Sequence, residues 1–176
     1  MTRATISRIV EWDRRWVKKV NQANRRNDIR TLFSLISRLG DGAFWYALMI
    51  GLLLADPQRT FWPVLHMATA GLAATLIYKT LKRCTSRPRP FHTDQQLLLS
   101  IAPLDRYSFP SGHTLHAVTF TLLAVFYFPM LAWLLIPFSI LVALSRVVLG
   151  LHYPSDVIAG VVIGAAIAMA SLWIRG

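Results

Sequence analysis

Three short polar clusters interrupt an otherwise apolar chain: residues 82–90 (KRCTSRPRP), 110–113 (PSGH) and 145–156 (SRVVLGLHYPSD). Between them they carry Lys82, Arg89, Arg146, His113, His152 and Asp156. Charged groups at the ends of apolar helices are costly unless they face one another, a cavity or an anionic ligand, so a shared site at one membrane face is expected. Three cations and two histidines suit a phosphate or a diphosphate. Phosphoryl transfer needs positive charge spread over the equatorial oxygens, an in-line nucleophile and an acid for the leaving oxygen. Arg89 and Arg146 supply planar, permanently charged forks, and Lys82 adds a point charge.

Ser111, Gly112 and His113 follow Pro110 where a helix begins, so unpaired backbone N–H groups favour an anion there and Gly112 lets the backbone come close. His113 falls in the first turn, placed to protonate a leaving group. In the run 152–156, Pro154 suits the first helical position, leaving His152 just outside the helix and Asp156 in its first turn. A carboxylate so placed can accept the proton-bearing nitrogen of His152 and free the other nitrogen to attack phosphorus.

The elements that must position these groups are membrane helices. Of 176 residues, 55% are hydrophobic and 15% charged, with mean hydropathy +0.46, which is the composition of an integral membrane domain. One all-α domain spanning 1–176 is expected, a bundle of about five transmembrane helices plus an N-terminal interfacial helix. The net charge of +11 sits largely in residues 1–30 and the clusters. Anionic lipid is therefore the expected partner rather than nucleic acid, since no basic stripe with interleaved aromatics lies on a soluble module. The single cysteine, Cys84, excludes an intrachain disulfide and any multi-cysteine metal site. The first 30 residues hold nine Lys or Arg and no continuous apolar core, so no cleavable signal peptide is expected.

Within 5–20, Ile6, Ile9, Val10, Trp16, Val17 and Val20 recur at helical spacing between Arg8, Arg14, Arg15, Lys18 and Lys19, which predicts a helix lying in the headgroups. The expected spans are 31–55, 62–81, one starting at Ser111, about 132–149 and about 155–174. The uninterrupted apolar part of the first, 43–55, is too short to cross roughly 30 Å of hydrocarbon and must recruit residues around Arg38 and Asp41. Asp41 reads equally as a helix cap or a functional acid. Residues 56–58 predict a turn, and the small residues of 68–74 permit close helix packing. The long connection 84–110 reads as functional, and its apolar stretch 97–101 could return to the membrane surface. Trp45, Trp62, Tyr127, Trp133 and Trp173 read as interfacial belts. His116, one turn after His113, reads as a structural histidine ahead of a supporting role behind the site, and nothing is assigned to His66.

The clusters resemble the type 2 phosphatidic acid phosphatase superfamily, related to bacterial acid phosphatases and vanadium haloperoxidases. Its pattern of Lys, six residues, Arg-Pro; Pro-Ser-Gly-His; and Ser-Arg, five residues, His, three residues, Asp is met by Lys82 with Arg89-Pro90, by 110–113, and by Ser145-Arg146 with His152 and Asp156. Spacing from Lys82 selects Arg89 over Arg87. The resemblance implies that His152 forms a phosphohistidine, Asp156 partners it and His113 is the general acid. It also implies that Lys82, Arg89, Ser111, Gly112 and Arg146 bind phosphate, without metal or other cofactor.

The expected activity is metal-independent dephosphorylation of a membrane lipid such as a polyprenyl diphosphate, phosphatidylglycerol phosphate, phosphatidate or a lipid A phosphate. Two alternatives are a lipid phosphotransferase using the same phosphohistidine and a non-enzymatic lipid-binding or transport protein. A metal triad of His113, His152 and Asp156 is disfavoured because three cations would converge on a dication. The expected location is a bacterial inner membrane. Relatives of this kind open to the periplasm or exterior, and the site is expected there, although the basic N-terminus on the five-span count argues for the cytoplasm.

Overall fold

The computed structural model describes residues 3–103 and 105–175, without the side chains of residues 3, 4 and 6. Residues 1 and 2 of the expected basic segment, and the Ile6 side chain of its apolar face, therefore lie outside the described part. The helices are α1 (Arg3–Asn21), α2 (Asn27–Leu39), α3 (Ala43–Ala55), α4 (Pro57–Thr85), α5 (Pro90–Thr93), α6 (Gly112–Tyr127), α7 (Ala132–Val148) and α8 (Pro154–Arg175). Short 3-10 turns cover Gln22–Arg25 and Pro129–Leu131, and the described residues contain no strand.

By length and apolarity α4 with its extension, α7 with its preceding turn, and α8 can cross a membrane, and α2 with α3 forms a fourth candidate bent by 53°. α6, at 16 residues, rises only about 24 Å and falls short of that measure. It occupies the middle of the bundle, packed on α4, α7 and α8. Large apolar side chains stay on the outside, with Leu54 at 79%, Trp133 at 87% and Trp173 at 85% exposure. A water-soluble domain would not leave such a surface, whereas lipid solvates it.

Glycines set the closest approach. A Cβ at Gly164 would lie 2.5 Å from the Leu115 carbonyl oxygen, and one at Gly160 would lie 2.8 Å from that of Ser111. With Ala168 they form a buried small-residue stripe along α8, the membrane device for bringing backbones together. Thr119 Oγ1 donates to the Gly164 carbonyl at 3.1 Å across the seam. The N-termini of α6 and α8 are thereby held side by side, and Ser111 N donates to the Asp156 carbonyl at 3.0 Å.

Several local expectations are corrected. The first span breaks at residues 40–42, because Gly42 adopts φ +125° and no side chain caps α3. The 56–58 turn shrinks to Asp56, which caps α4 by accepting from Arg59 N at 3.2 Å while Pro57 begins the helix. Trp45 is not in a belt: it is 1% exposed, packed against Phe44, Phe120 and Phe138 in the core.

The apolar face predicted for α1 also divides, with Ile9 and Trp16 exposed but Val17 buried in a cluster with Leu97, Val147 and Tyr153. α1 is thus docked on the bundle. Asn21 Nδ2 donates to the carbonyls of Val148 (2.8 Å) and Leu98 (3.1 Å), and Leu98 N donates to Asn21 Oδ1 (2.8 Å). Within 97–101, Leu97 turns inward while Leu98 and Leu99 are exposed.

Candidate active site

Three helix ends meet at one cavity of about 910 Å³. Lys82 comes from the last turn of α4, Gly112 and His113 from the first turn of α6, and Arg146 from the last turn of α7. Arg89 and His152 come from the adjoining loops, and all six line the cavity. Asp156 and Ser111 are wholly buried behind that wall. Ser111 Oγ lies 3.0 Å from Thr114 Oγ1, so of the expected phosphate-binding set Ser111 alone is turned away from the space.

The turn after α7 fixes His152. Gly150 takes φ +70°, a conformation glycine adopts without steric cost. The chain then folds back so that Leu151 N and His152 N both donate to the Arg146 carbonyl at 3.0 Å. The imidazole is 1% exposed. Arg89 Nη1 approaches its Nε2 at 3.2 Å and also donates to the Leu151 carbonyl at 2.8 Å. A guanidinium only donates, so Nε2 carries the lone pair and the ring proton belongs on Nδ1.

Nδ1 faces Asp156 Oδ2 at 3.8 Å, longer than the expected hydrogen bond. Among the described residues it has no other partner. Burial first, then the cations Arg89, Arg146 and Lys82, drive His152 well below the ordinary histidine range, favouring a neutral ring whose Nε2 lone pair accepts from Arg89.

Asp156 is held from the far side. Its Oδ2 accepts from Tyr153 N at 2.9 Å and its Oδ1 from Arg87 Nη1 at 2.6 Å. Arg87 also donates through Nη2 to Asp13 Oδ2 at 2.7 Å, and its guanidinium lies 4.3 Å from the Tyr153 ring centroid. The two arginines of RPRP therefore do different work, Arg89 facing the cavity and Arg87 clamping the carboxylate behind it.

Asp105 was also not singled out from sequence. It sits within the cation cluster: Lys82 Nζ donates to both its carboxylate oxygens at 2.7 and 2.8 Å, and Arg89 Nη2 to Oδ1 at 2.8 Å. Burial favours its neutral form, but Lys82 and Arg89 outweigh that and hold its pKa below the ordinary carboxylate value. Arg146 donates Nη1 to Ser37 Oγ, while its Nε is buried and has no partner among the described residues. His113 Nε2 pairs with Asp41.

His116 behaves structurally: Nδ1 donates to the Gly112 carbonyl at 2.9 Å and Nε2 lies 3.0 Å from Thr75 Oγ1. At the other end of the bundle His66 Nδ1 meets Tyr127 OH at 2.6 Å. No group of three or more His, Cys, Asp or Glu side chains among the described residues is disposed to hold a metal ion.

A lipid A 1-phosphatase of Rhizobium etli is 28% identical over 164 residues, 82% of this chain and 71% of its own. An undecaprenyl-diphosphatase of Sulfolobus acidocaldarius is 33% identical over 154 residues, 85% of this chain and 73% of its own. The fold matches a crystal structure of a transmembrane PAP2-type phosphatidylglycerolphosphate phosphatase from Bacillus subtilis, with TM-score 0.77, 23% identity, and 99% and 87% of the two chains covered. The profile of the PAP2 superfamily matches residues 60–176, which contain all three polar clusters, and the chain belongs to that superfamily.

Proposed function

We propose that the protein is a lipid phosphatase that removes a phosphoryl group from a phosphorylated or diphosphorylated membrane lipid through a phosphohistidine on His152. The observation that carries this reading is the buried His152, whose Nε2 meets Arg89 Nη1 at 3.2 Å on the wall of a cavity also lined by Lys82 and Arg146. Lys82, Arg89 and Arg146 neutralise the equatorial oxygens, and the backbone at Gly112 opens the α6 N-terminus to the same anion. Nε2 attacks phosphorus, the bond to the leaving oxygen breaks, and His113 gives that oxygen a proton. Water then displaces the phosphoryl group from His152, with His113 taking the proton in return. Asp156 Oδ2, 3.8 Å from His152 Nδ1, favours the proton on that nitrogen electrostatically as positive charge develops on the ring.

The apolar part of the cavity wall, including Trp45, Met49 and Leu72, supports a substrate whose phosphate is attached to a hydrocarbon. The named activities of the relatives make polyprenyl diphosphates, lipid A phosphates and phosphatidylglycerol phosphate the substrates to test first. We place the protein in a bacterial inner membrane with the cavity open to the periplasm, on the likeness to membrane relatives and against the basic N-terminus.

A phosphate-release screen of purified protein against these lipids tests the activity, and acid-labile, base-stable labelling of His152 tests the mechanism. His152→Ala should abolish release while the protein stays folded in detergent; near-normal turnover would eliminate the covalent scheme. Release of inorganic phosphate with no lipid acceptor separates hydrolysis from phosphotransfer and from simple headgroup binding.

A further inference from the structure

The proposed acid, His113, has a partner that neither its motif nor its helix supplies. Asp41 lies in the break between α2 and α3, and its carboxylate pairs with His113 Nε2 across 72 positions of sequence. It does not cap α3: that position is Gly42, with no side-chain cap bond. The loop is seated rather than free, since a Cβ on Gly40 would come within 3.0 Å of Val142 on α7, and Gly42 takes φ +125°. Asp41 and Asp105 are the two acids among the cavity-lining residues. Asp105 is engaged by Lys82 and Arg89, so each acid serves a different part of the site.

We propose that Asp41 is the positioning residue for the general acid, orienting the His113 ring through Nε2 so that Nδ1 delivers its proton to the leaving oxygen. This rests on the reading of His113 as acid given above. Among the described residues Nδ1 has no hydrogen-bond partner, and it is not buried out of reach, while His113 itself lines the cavity. The charged and titratable groups around the ring are Asp41 from the α2–α3 break, Arg146 from α7, Lys82 from α4 and His152 from the turn before α8. Three of these are cationic or neutral, so a protonated His113 depends on Asp41 for its counter-charge. On cleavage the Nδ1 proton passes to the leaving oxygen together with the electron pair of the broken P–O bond, and the ring becomes neutral. When water attacks the phosphohistidine, Nδ1 takes its proton and Asp41 balances the imidazolium that forms. An alkoxide leaving group needs this proton most, and an activated aryl oxide needs it least.

The test uses the full chain in detergent micelles and reads kcat/KM, which reports the first chemical step, for phosphatidate and for p-nitrophenyl phosphate. Asp41→Asn should lower the phosphatidate value about a hundredfold and the p-nitrophenyl phosphate value less than about fivefold. The alkaline limb of its pH profile should move to lower pH, and Asp41→Glu should recover part of the loss. Adding Asp41→Asn to His113→Ala should cost nothing further, because both remove one device. Equal loss on both substrates, a gain in turnover, or additivity with His113→Ala would overturn the role of Asp41. His113→Ala lacking the leaving-group dependence would overturn the acid assignment itself, whereas its presence there and absence in Asp41→Asn would sink the Asp41 inference alone.

Discussion

Arg87 joins two wholly buried carboxylates, donating Nη1 to Asp156 at 2.6 Å and Nη2 to Asp13 at 2.7 Å. Asp13 also accepts from Ser155 N at 2.9 Å. Helix α1 is thereby tied to the carboxylate behind the proposed nucleophile. Truncating one partner of a buried charge network leaves the others uncompensated, at a cost of roughly 3–5 kcal/mol. Arg87→Gln should therefore lower kcat at least tenfold, and Asp13→Asn should lower it less. The double variant should lose less than the product of the two, as measured by steady-state kinetics on folded protein. Strict additivity would show that Asp13 and Arg87 act separately.

Asp105 holds Lys82 and Arg89 in the positions a phosphate would claim. Asp105→Asn should release both cations to the ligand, so vanadate, which adopts the five-coordinate geometry of the transition state, should bind about tenfold more tightly. The same change leaves two buried cations poorly compensated and should lower the thermal midpoint without ligand. Weaker vanadate binding would instead make Asp105 part of the anion site.

The α6–α8 seam should tolerate no added bulk at Gly164, whose Cβ would meet the Leu115 backbone oxygen at 2.5 Å. Backbone cannot move aside as a flexible side-chain tip can, so overpacking of about 1–3 kcal/mol or more is expected. Gly164→Val should lower the melting temperature in detergent well below that of Gly51→Val on α3, where a Cβ meets nothing within 4 Å.

Because burial and neighbouring cations lower the His152 pKa, the neutral nucleophile persists below the usual histidine pKa of about 6.5. Its protonation on acidification removes the lone pair, so the acidic limb of kcat/KM should lie below that value. Replacing one cation by Arg89→Gln should move the limb upward, toward the ordinary value, besides weakening substrate binding. A wild-type limb at or above about 6.5 would contradict this.

Cys84 is exposed and lies two residues from Lys82, so it reports the side on which the site opens. In intact bacteria a membrane-impermeant maleimide should label it if the site faces the periplasm. Labelling only after the inner membrane is opened, with a denatured control showing a reactive thiol, would place the site in the cytoplasm.

The residues that meet across the cavity at Lys82, Arg89, Gly112, His113, Arg146 and His152 were legible from one dimension. Those residue types suit phosphate chemistry, and Lys82, Gly112, His113 and Arg146 stand at the ends of apolar runs, where helix periodicity and membrane thickness leave them few places to be. The positions of Pro154, His152 and Asp156 around the start of α8 followed from the same local rule, proline's fitness for the first helical turn.

Of the acids around the site only Asp41 was half legible, read equally as a cap or a functional acid, and Asp13 and Asp105 were not. Asp13 and Asp105 stand in a basic amphipathic helix and a long polar connection, where a solitary carboxylate reads as solvated, and Asp41 stands in a glycine-flanked break, where the capping reading weighs as much as the functional one. A trace existed for Asp13, which shares a helical stripe with the buried Val17, Asn21 and Asn24, and for Arg87 in the repeated Arg-Pro. The partners of Asp13, Asp105 and Asp41 are 74, 23 and 72 residues away, and no local periodicity encodes separations of that kind. Tertiary packing decided them, because a buried cation or imidazole takes whichever carboxylate the fold brings within reach. The small-residue seam of α8 and the 53° bend at residues 40–42 are what bring those chains together.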